Sequence, residues 1–279
     1  MHIRAPRRHW QHVVITGGSS GLGLEIAVQL APLGPAISLI ARDPDKLARA
    51  RARILAAAPD ARVEVSCVDV ADRQAVTDSF GHLNALLGPP DALINAAGIV
   101  REGHFGVLRD DDFRNAMEVN FFGTVNAVRA ALPYLTERRG VIVNVASVAG
   151  LMGVFGFTPY CASKHAVVGF THALRFEMRG HGVAVHLVCP GEFDTPMVRA
   201  LDRTRTAQNR AHTLTIPRIP VEQVARETIR GIHRGALIIV PGWRTRGAVT
   251  VARLAPALTS TIGARRIAAA RRETDIFRC

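Results

Sequence analysis

Tyr160 and Lys164 stand four positions apart, the spacing that puts two side chains on one face of a helix. The ammonium of Lys164 would then stand beside the phenol of Tyr160. A neighbouring positive charge favours the phenolate and lowers a pKa that is about 10 in free tyrosine. Reduction of a carbonyl needs a proton donor whose pKa lies near the working pH, and such a pair makes one. Ser147 closes an apolar run, and a serine at the carboxyl end of a strand can hydrogen-bond a substrate oxygen where α/β sheets bind their ligands. Asn120 lies on the long helical stretch before it. Taken singly these are ordinary residues on ordinary elements, and their chemistry depends on being brought together.

A second group of residues reads as a phosphate site. The run Thr16-Gly17-Gly18-Ser19-Ser20-Gly21-Leu22-Gly23 follows a short β-branched segment and opens a helix. Glycines let the backbone approach a ligand closely, and a helix N-terminus presents unpaired N–H groups and the positive end of its dipole to a pyrophosphate. The next apolar run ends Leu39-Ile40-Ala41-Arg42. An acid at that place would bind the ribose of NAD, whereas an arginine accepts the extra phosphate of NADP. The expected cofactor is therefore NADP(H), with Asp43 able either to turn inward or to pair with Arg42. Asp69 and Val70, after the third run, are placed for the adenine. Asn95, Ala96 and Gly98, after the fourth, let backbone approach the ribose, and Asn95 can brace neighbouring strands.

The elements that must position these residues follow from the alternation of short apolar runs with helical stretches. Strands are expected at 12–16, 36–41, 63–68, 92–95, 141–146, 183–189 and 237–240. Helices are expected at 21–33, 44–57, 71–87, 110–138, 158–179 and 221–234. Such alternation predicts an α/β fold of the Rossmann type, a doubly wound, seven-stranded, mostly parallel sheet with helices on both faces. Residues 1–242 read as one catalytic domain and residues 243–279 as a basic amphipathic tail. The stretch 190–220 carries few strand or helix signals and reads as a lid or binding loop.

Composition excludes several other classes. Of 279 residues, 48% are hydrophobic and 21% charged, enough apolar side chain for a sizeable core and too much for a disordered chain. The net charge is +12, yet only Lys46 and Lys164 are lysines, and half of the excess falls in the arginine-rich tail. No recognition helix pair or aromatic-rich surface accompanies that charge, so nucleic acid is not an expected partner. Cys67, Cys161, Cys189 and Cys279 are too far apart for a zinc site or a disulfide framework, and the histidines, His9 among them, show no ligand spacing, so no metal is expected. The basic start lacks the apolar segment of a secretory signal. The uncharged run 140–163 reads as a buried strand and a glycine-rich loop rather than a membrane span, because it holds Asn144, Ser147 and Pro159. The expected location is cytoplasmic.

The assembled pattern resembles the short-chain dehydrogenase/reductase family: Thr16-Gly17-x-x-x-Gly21-x-Gly23, Asn95-Ala96-x-Gly98, Asn120, Ser147, Tyr160-x-x-x-Lys164 and Pro190-Gly191, in that order, over about residues 11–240. The resemblance implies that Tyr160 is the acid/base and that Lys164 lowers its pKa and holds the nicotinamide ribose. It likewise implies that Ser147 orients the carbonyl, Asn120 anchors a water in a proton relay, and Pro190, Gly191 and Thr195 line the nicotinamide end. Members of the family are usually dimers or tetramers. Several stretches, above all Gly153-Val154-Phe155-Gly156-Phe157-Thr158-Pro159-Tyr160, resemble the branch that reduces 3-ketodihydrosphingosine. Steroids or β-keto acyl compounds are the alternative substrates, and a dinucleotide-sensing protein without turnover is the alternative of another kind. Leu151, Met152, Val154, Phe155 and Phe157 would suit an acyl chain, or simply pack in the core. The tail, with apolar residues from Val249 to Ile276 between arginines, suits an anionic membrane surface or a partner subunit.

Overall fold

In the computed structural model of the chain, residues 10–276 are described. The basic start, with His9, and Cys279 lie outside them. Seven strands form one sheet, every pair parallel: β1 (His12–Thr16), β2 (Ala36–Ala41), β3 (Val63–Cys67), β4 (Ala92–Asn95), β5 (Val141–Val145), β6 (Ala184–Val188) and β7 (Ile238–Ile239). Their order in space is β3-β2-β1-β4-β5-β6-β7. β1, β4 and most of β2, β5 and β6 are buried on both faces, as a parallel sheet covered by helices requires, and their Val/Ile/Leu-rich sequences match. The expected fold is the observed one.

The covering helices are α1 (Gly21–Leu30), α2 (Pro44–Ala57), α3 (Arg73–Leu87), α4 (Asp110–Met117), α5 (Gly123–Glu137), α6 (Thr158–Arg179) and α9 (Val221–His233). Two large apolar clusters build the core. One joins β1 to α1, α2 and α9 through residues such as Ile15, Ile26, Leu39, Ile54 and Ile232. The other joins the sheet to α3, α5 and α6 through Phe80, Leu93, Leu135 and Leu174. The direction of chain progress reverses between β1 and β4, which opens a crevice at the carboxyl ends of those strands.

Several boundaries differ from the pattern. The expected helix over 21–33 is α-helical only to Leu30 and finishes as a tight turn over Ala31–Leu33, because Pro32 cannot supply the next backbone donor. The long helix over 110–138 is interrupted by a wider π turn at Glu118–Phe122. The stretch 190–220 contains two seven-residue helices, α7 (Pro196–Asp202) and α8 (Ala207–Thr213), each capped by a threonine hydroxyl accepting from a backbone N–H. The tail forms α10 (Trp243–Leu254) and α11 (Pro256–Ile276), and α11 packs along α8.

Candidate active site

The crevice at the β1/β4 reversal deepens into a cavity of about 650 Å³. Its floor begins at the glycine turn. Gly17 has φ +68°, and a Cβ there would stand 2.6 Å from Ala97 N, so only glycine lets β1 pass this close to the backbone after β4. Gly23 meets the turn itself: its Cβ would lie 2.6 Å from the Gly17 carbonyl oxygen. The first turn of α1 thus sits directly over the glycine turn. Ser20 caps α1 without using its side chain, and the first turn carries no acid. The uncommitted N–H groups of that turn, with their positive dipole end, fit a pyrophosphate.

Beyond the end of β2, Arg42 and Lys46 both line the cavity. Asp43 lines the cavity as well and does not pair with Arg42. Its carboxylate caps α2 by accepting from Lys46 N at 2.9 Å and pairs with Lys46 Nζ at 3.0 Å. Those bonds hold its pKa below the ordinary aspartate value. Arg42 instead reaches Asp69 at 3.4 Å, with more than half of its side chain exposed. Asp69 spends its other oxygen on Ala71 N.

Gly17, Ser19, Ser20, Gly21, Leu22, Arg42, Val70, Ala96, Gly98, Ser147, Tyr160, Lys164, Pro190, Gly191 and Thr195 all face the cavity. Thr16, Gly23, Asn95 and Asn120 stand behind its wall instead, and Asp69, half-exposed, meets the cavity only through Arg42. Thr16 Oγ1 donates to Asn95 Oδ1, and Asn95 Nδ2 donates to Asn144 Oδ1 at 2.9 Å. This buried chain ties β1, β4 and β5 together just below the site, the bracing expected of Asn95. Asn120 is fully buried at the π turn. Its oxygen accepts from Ile99 N at 2.7 Å, and its amide donates to Ile99 O and to Ser163 Oγ. Both amide hydrogens are engaged, so a water could attach to this side chain only through the remaining lone pair of Oδ1.

Ser147 ends at the mouth of β5, where its Oγ accepts from Ala149 N at 3.2 Å. Tyr160, on the first turns of α6, packs edge-on against Phe157. Lys164 follows one turn later, its Nζ 5.8 Å from the centre of the Tyr160 ring. The expected depression of the tyrosine pKa is not what this arrangement gives. Lys164 Nζ is turned to the Val145 carbonyl at 3.0 Å, and burial dominates both groups. It pushes the Tyr160 phenol up to about 12, against a downward pull from its hydrogen bond with Ser147. It pushes the Lys164 ammonium down to about 8.

Part of the cavity was not foreshadowed. His212 and Thr213 of α8, Val251 of α10, and Ile262 and Gly263 of α11 share its lining. Of the apolar loop before Tyr160, Met152, Val154 and Phe157 face the cavity, whereas Leu151 packs in a small core cluster. Phe155 is held by α8: its N–H donates to His212 Nδ1 at 3.0 Å and its carbonyl accepts from Asn209 Nδ2 at 2.6 Å. Among the described residues no cluster of His, Cys, Asp or Glu could hold a metal ion. No helix there is long and apolar enough to cross a membrane.

A parallel sheet reversing over a glycine turn, with a serine, a tyrosine and a lysine at the same crevice, defines an oxidoreductase of the Rossmann type that acts on alcohols and carbonyls. The short chain dehydrogenase family model matches residues 11–206, and the chain belongs to the short-chain dehydrogenase/reductase family, whose members use NAD(P). It is similar to the 3-ketodihydrosphingosine reductase of Mus musculus, 36% identical over 228 residues that span 80% of this chain and 69% of that one. It is also similar to the 3-dehydrosphinganine reductase of Danio rerio, 37% identical over the same spans. Among solved structures, a short chain dehydrogenase/reductase from Burkholderia phymatum in complex with NAD aligns with a TM-score of 0.81 at 26% identity, covering 91% of this chain and 96% of that one. An actinorhodin polyketide ketoreductase with NADPH aligns with a TM-score of 0.75 at 29% identity, covering 82% and 95%.

Proposed function

We propose that the protein reduces a ketone on a hydrophobic substrate, most simply a long-chain 3-ketosphinganine-like lipid, with NADPH as the hydride source and Tyr160 as the proton donor. The single observation that carries this reading is the convergence of Ser147, Tyr160 and Lys164 on one largely apolar cavity whose floor is a glycine turn and a free helix N-terminus. The cofactor, when bound, supplies the hydride. The chain's own residues do the rest.

The α1 N-terminus and the backbone of Gly17 to Leu22 would bind the pyrophosphate. Arg42 and Lys46 would take the phosphate that distinguishes NADP from NAD, with the Asp43 carboxylate engaged by the Lys46 N–H and ammonium beside them. A phenol whose pKa lies at about 12 remains protonated at neutral pH, the form needed to give a proton to a carbonyl oxygen as negative charge develops there. Ser147 would donate to that same oxygen and hold it against the phenol. Once the proton leaves, the Ser147 hydroxyl and the Lys164 ammonium stabilise the phenolate in a site with little water. Asn120 acts through others, fixing Ile99 at the cavity edge and Ser163 on α6.

The relatives named above give the substrate its direction, since both carry a ketone-reducing name for a sphingoid precursor. Steady-state NADPH oxidation with a panel of ketones tests the proposal: a long-chain α-amino-β-hydroxy ketone should be turned over with the highest kcat/KM. No turnover with any ketone would overturn it. Peripheral contact with an anionic bilayer belongs to the same reading, because Trp243, Leu254 and Leu258 are exposed on the arginine-rich tail helices. Equal pelleting of the protein with and without phosphatidylserine vesicles would remove that part. Self-assembly is proposed too, with Phe122 and Phe176 exposed on the α5/α6 side; a monomer by light scattering would refute it.

A further inference from the structure

α11 places a glycine in mid-helix, where it costs about 1 kcal/mol relative to alanine. Its position explains why. A Cβ on Gly263 would stand 3.1 Å from His212 Nε2, closer than α8 and α11 could comfortably pack around it. Gly263 and Ala270 are buried while Thr259 and Ile267 are half-buried, so one stripe of α11, at helical spacing, faces inward. Thr259, Ile262 and Gly263 of that helix and Val251 of α10 line the same cavity as Tyr160.

His212 joins three elements at this point. It belongs to α8, touches α11 at Gly263, and accepts the Phe155 N–H through Nδ1. An imidazole that accepts through Nδ1 carries its proton on Nε2. Burial holds its pKa below the ordinary histidine value, which keeps it neutral. The loop that leads into Tyr160, the lid helix and the tail are thereby one wall. On its outer edge Met197, Val251 and Ile262 are each a little over 40% exposed while also lining the cavity. This edge of the opening is thus an apolar lip.

We infer that the helix pair α10–α11 is the outer wall of the substrate subsite and holds the alkyl chain of a long-chain ketone against α7 and α8, with Val251, Ile262 and Gly263 setting the chain length accepted. The inference rests on the reductase reading for its substrate, not for its geometry. Tail residues that read in the sequence as a membrane or partner face are, at these positions, part of the site.

The test uses the full chain and the variants Ile262→Trp and Gly263→Leu, with Ser260→Trp on the outer side of α11 as control. kcat/KM is measured for butanone and for tridecan-2-one, and binding of tridecan-2-one to the NADP⁺-loaded protein is followed by calorimetry. Both wall variants should lose about tenfold or more in kcat/KM and in affinity for the long ketone, the scale of about two buried methylenes. Butanone should change by less than about twofold, and the control should leave both ketones unchanged. Equal losses for the two ketones, or no loss, would overturn the inference while the reductase reading stood. If the wild type turned over neither methyl ketone, the reductase reading would still rest on the wider ketone panel and calorimetry alone would decide the wall. Affinity for tridecan-2-one that is absent, or unmoved by Ile262→Trp, would sink the wall. Should Gly263→Leu fail to fold, Ile262→Trp, at an exposed position, gives the answer.

Discussion

A half-buried phenol and a buried ammonium face opposite demands from one environment. Burial disfavours the charged form of each, so Tyr160 is held as phenol until about pH 12 while Lys164 begins to lose its charge at about pH 8. The signs give a pH profile. Ketone reduction needs the phenol and the ammonium together, so its rate should be flat through neutral pH and fall as pH rises through about 8. Alcohol oxidation needs the phenolate and should rise only as pH approaches about 12, where the phenol ionises. A reductive rate that climbs above pH 8 would contradict the role of Lys164. Stability moves differently. Lys164 binds fewer protons folded than unfolded between about 8 and 10.5, so its burial cost is relieved as pH rises through that window. Tyr160 binds more, so its share of stability is lost between about 10 and 12. At the other end of the crevice, Arg42→Ala should reduce the ratio of kcat/KM for NADPH over NADH by about tenfold, which corresponds to about 1.4 kcal/mol of phosphate contact. An unchanged ratio would move the specificity elsewhere, with Lys46 the next residue to replace.

At the scale of elements, α7 and α8 are tied together by a cluster of ions. Arg205 between α7 and α8 is fully buried and meets Glu192 at 3.0 Å and Asp202 at 2.8 Å. Arg218 bridges the same two carboxylates from the following turn and holds the Asp202 pKa below its ordinary value. Removing one partner of a buried set leaves uncompensated charge, at a cost of about 3–5 kcal/mol. Arg205→Met should therefore loosen α7 and α8, read as faster amide exchange there, and raise KM for the ketone more than for NADPH. Exchange unchanged in α7–α8 would show that these helices are held by other contacts. None of this network was legible beforehand, and the reason is physical. Its members lie in a stretch without apolar periodicity, and pairing through space leaves no repeat in the chain. Thr195 and Thr206, the caps of α7 and α8, were the one local signal, each standing directly before a short helix. The π turn at Asn120 was equally hidden, because one extra residue in a turn shifts the apolar phase by too little to see within a long helical run.

At the scale of the molecule, the sheet was legible because burial on both faces forces near-continuous Val/Ile/Leu runs, and β1, β2, β4, β5 and β6 are such runs, whereas the edge strand β3 alternates apolar and polar residues and is half-buried. β7 is only two residues long and rests on the edge beside β6, so the four residues expected there overshoot. The site was legible where a motif fixes it, at the glycine turn, Ser147, Tyr160 and Lys164, and illegible where remote segments meet, at His212, Val251 and Gly263. The signal that did exist for the cofactor end was the rarity of lysine: the chain's two lysines both line the cavity. Because the dinucleotide would bridge the two halves of the sheet, its binding should stabilise the whole fold. NADPH at 100-fold over its Kd should add about 2.7 kcal/mol, or about 5–10 °C in Tm for a chain of this length, with a smaller shift for NADH at equal concentration. Equal shifts for the two would contradict the assignment of Arg42 and Lys46.

The most direct test of the central claim removes one oxygen atom. In Tyr160→Phe, single-turnover reduction of a ketone by bound NADPH should slow by about a thousandfold, within the range expected for loss of a positioned general acid, while the Kd for NADPH stays within about twofold. A variant that keeps a tenth of the wild-type rate, with cofactor still bound, would show that the phenol is not the proton donor.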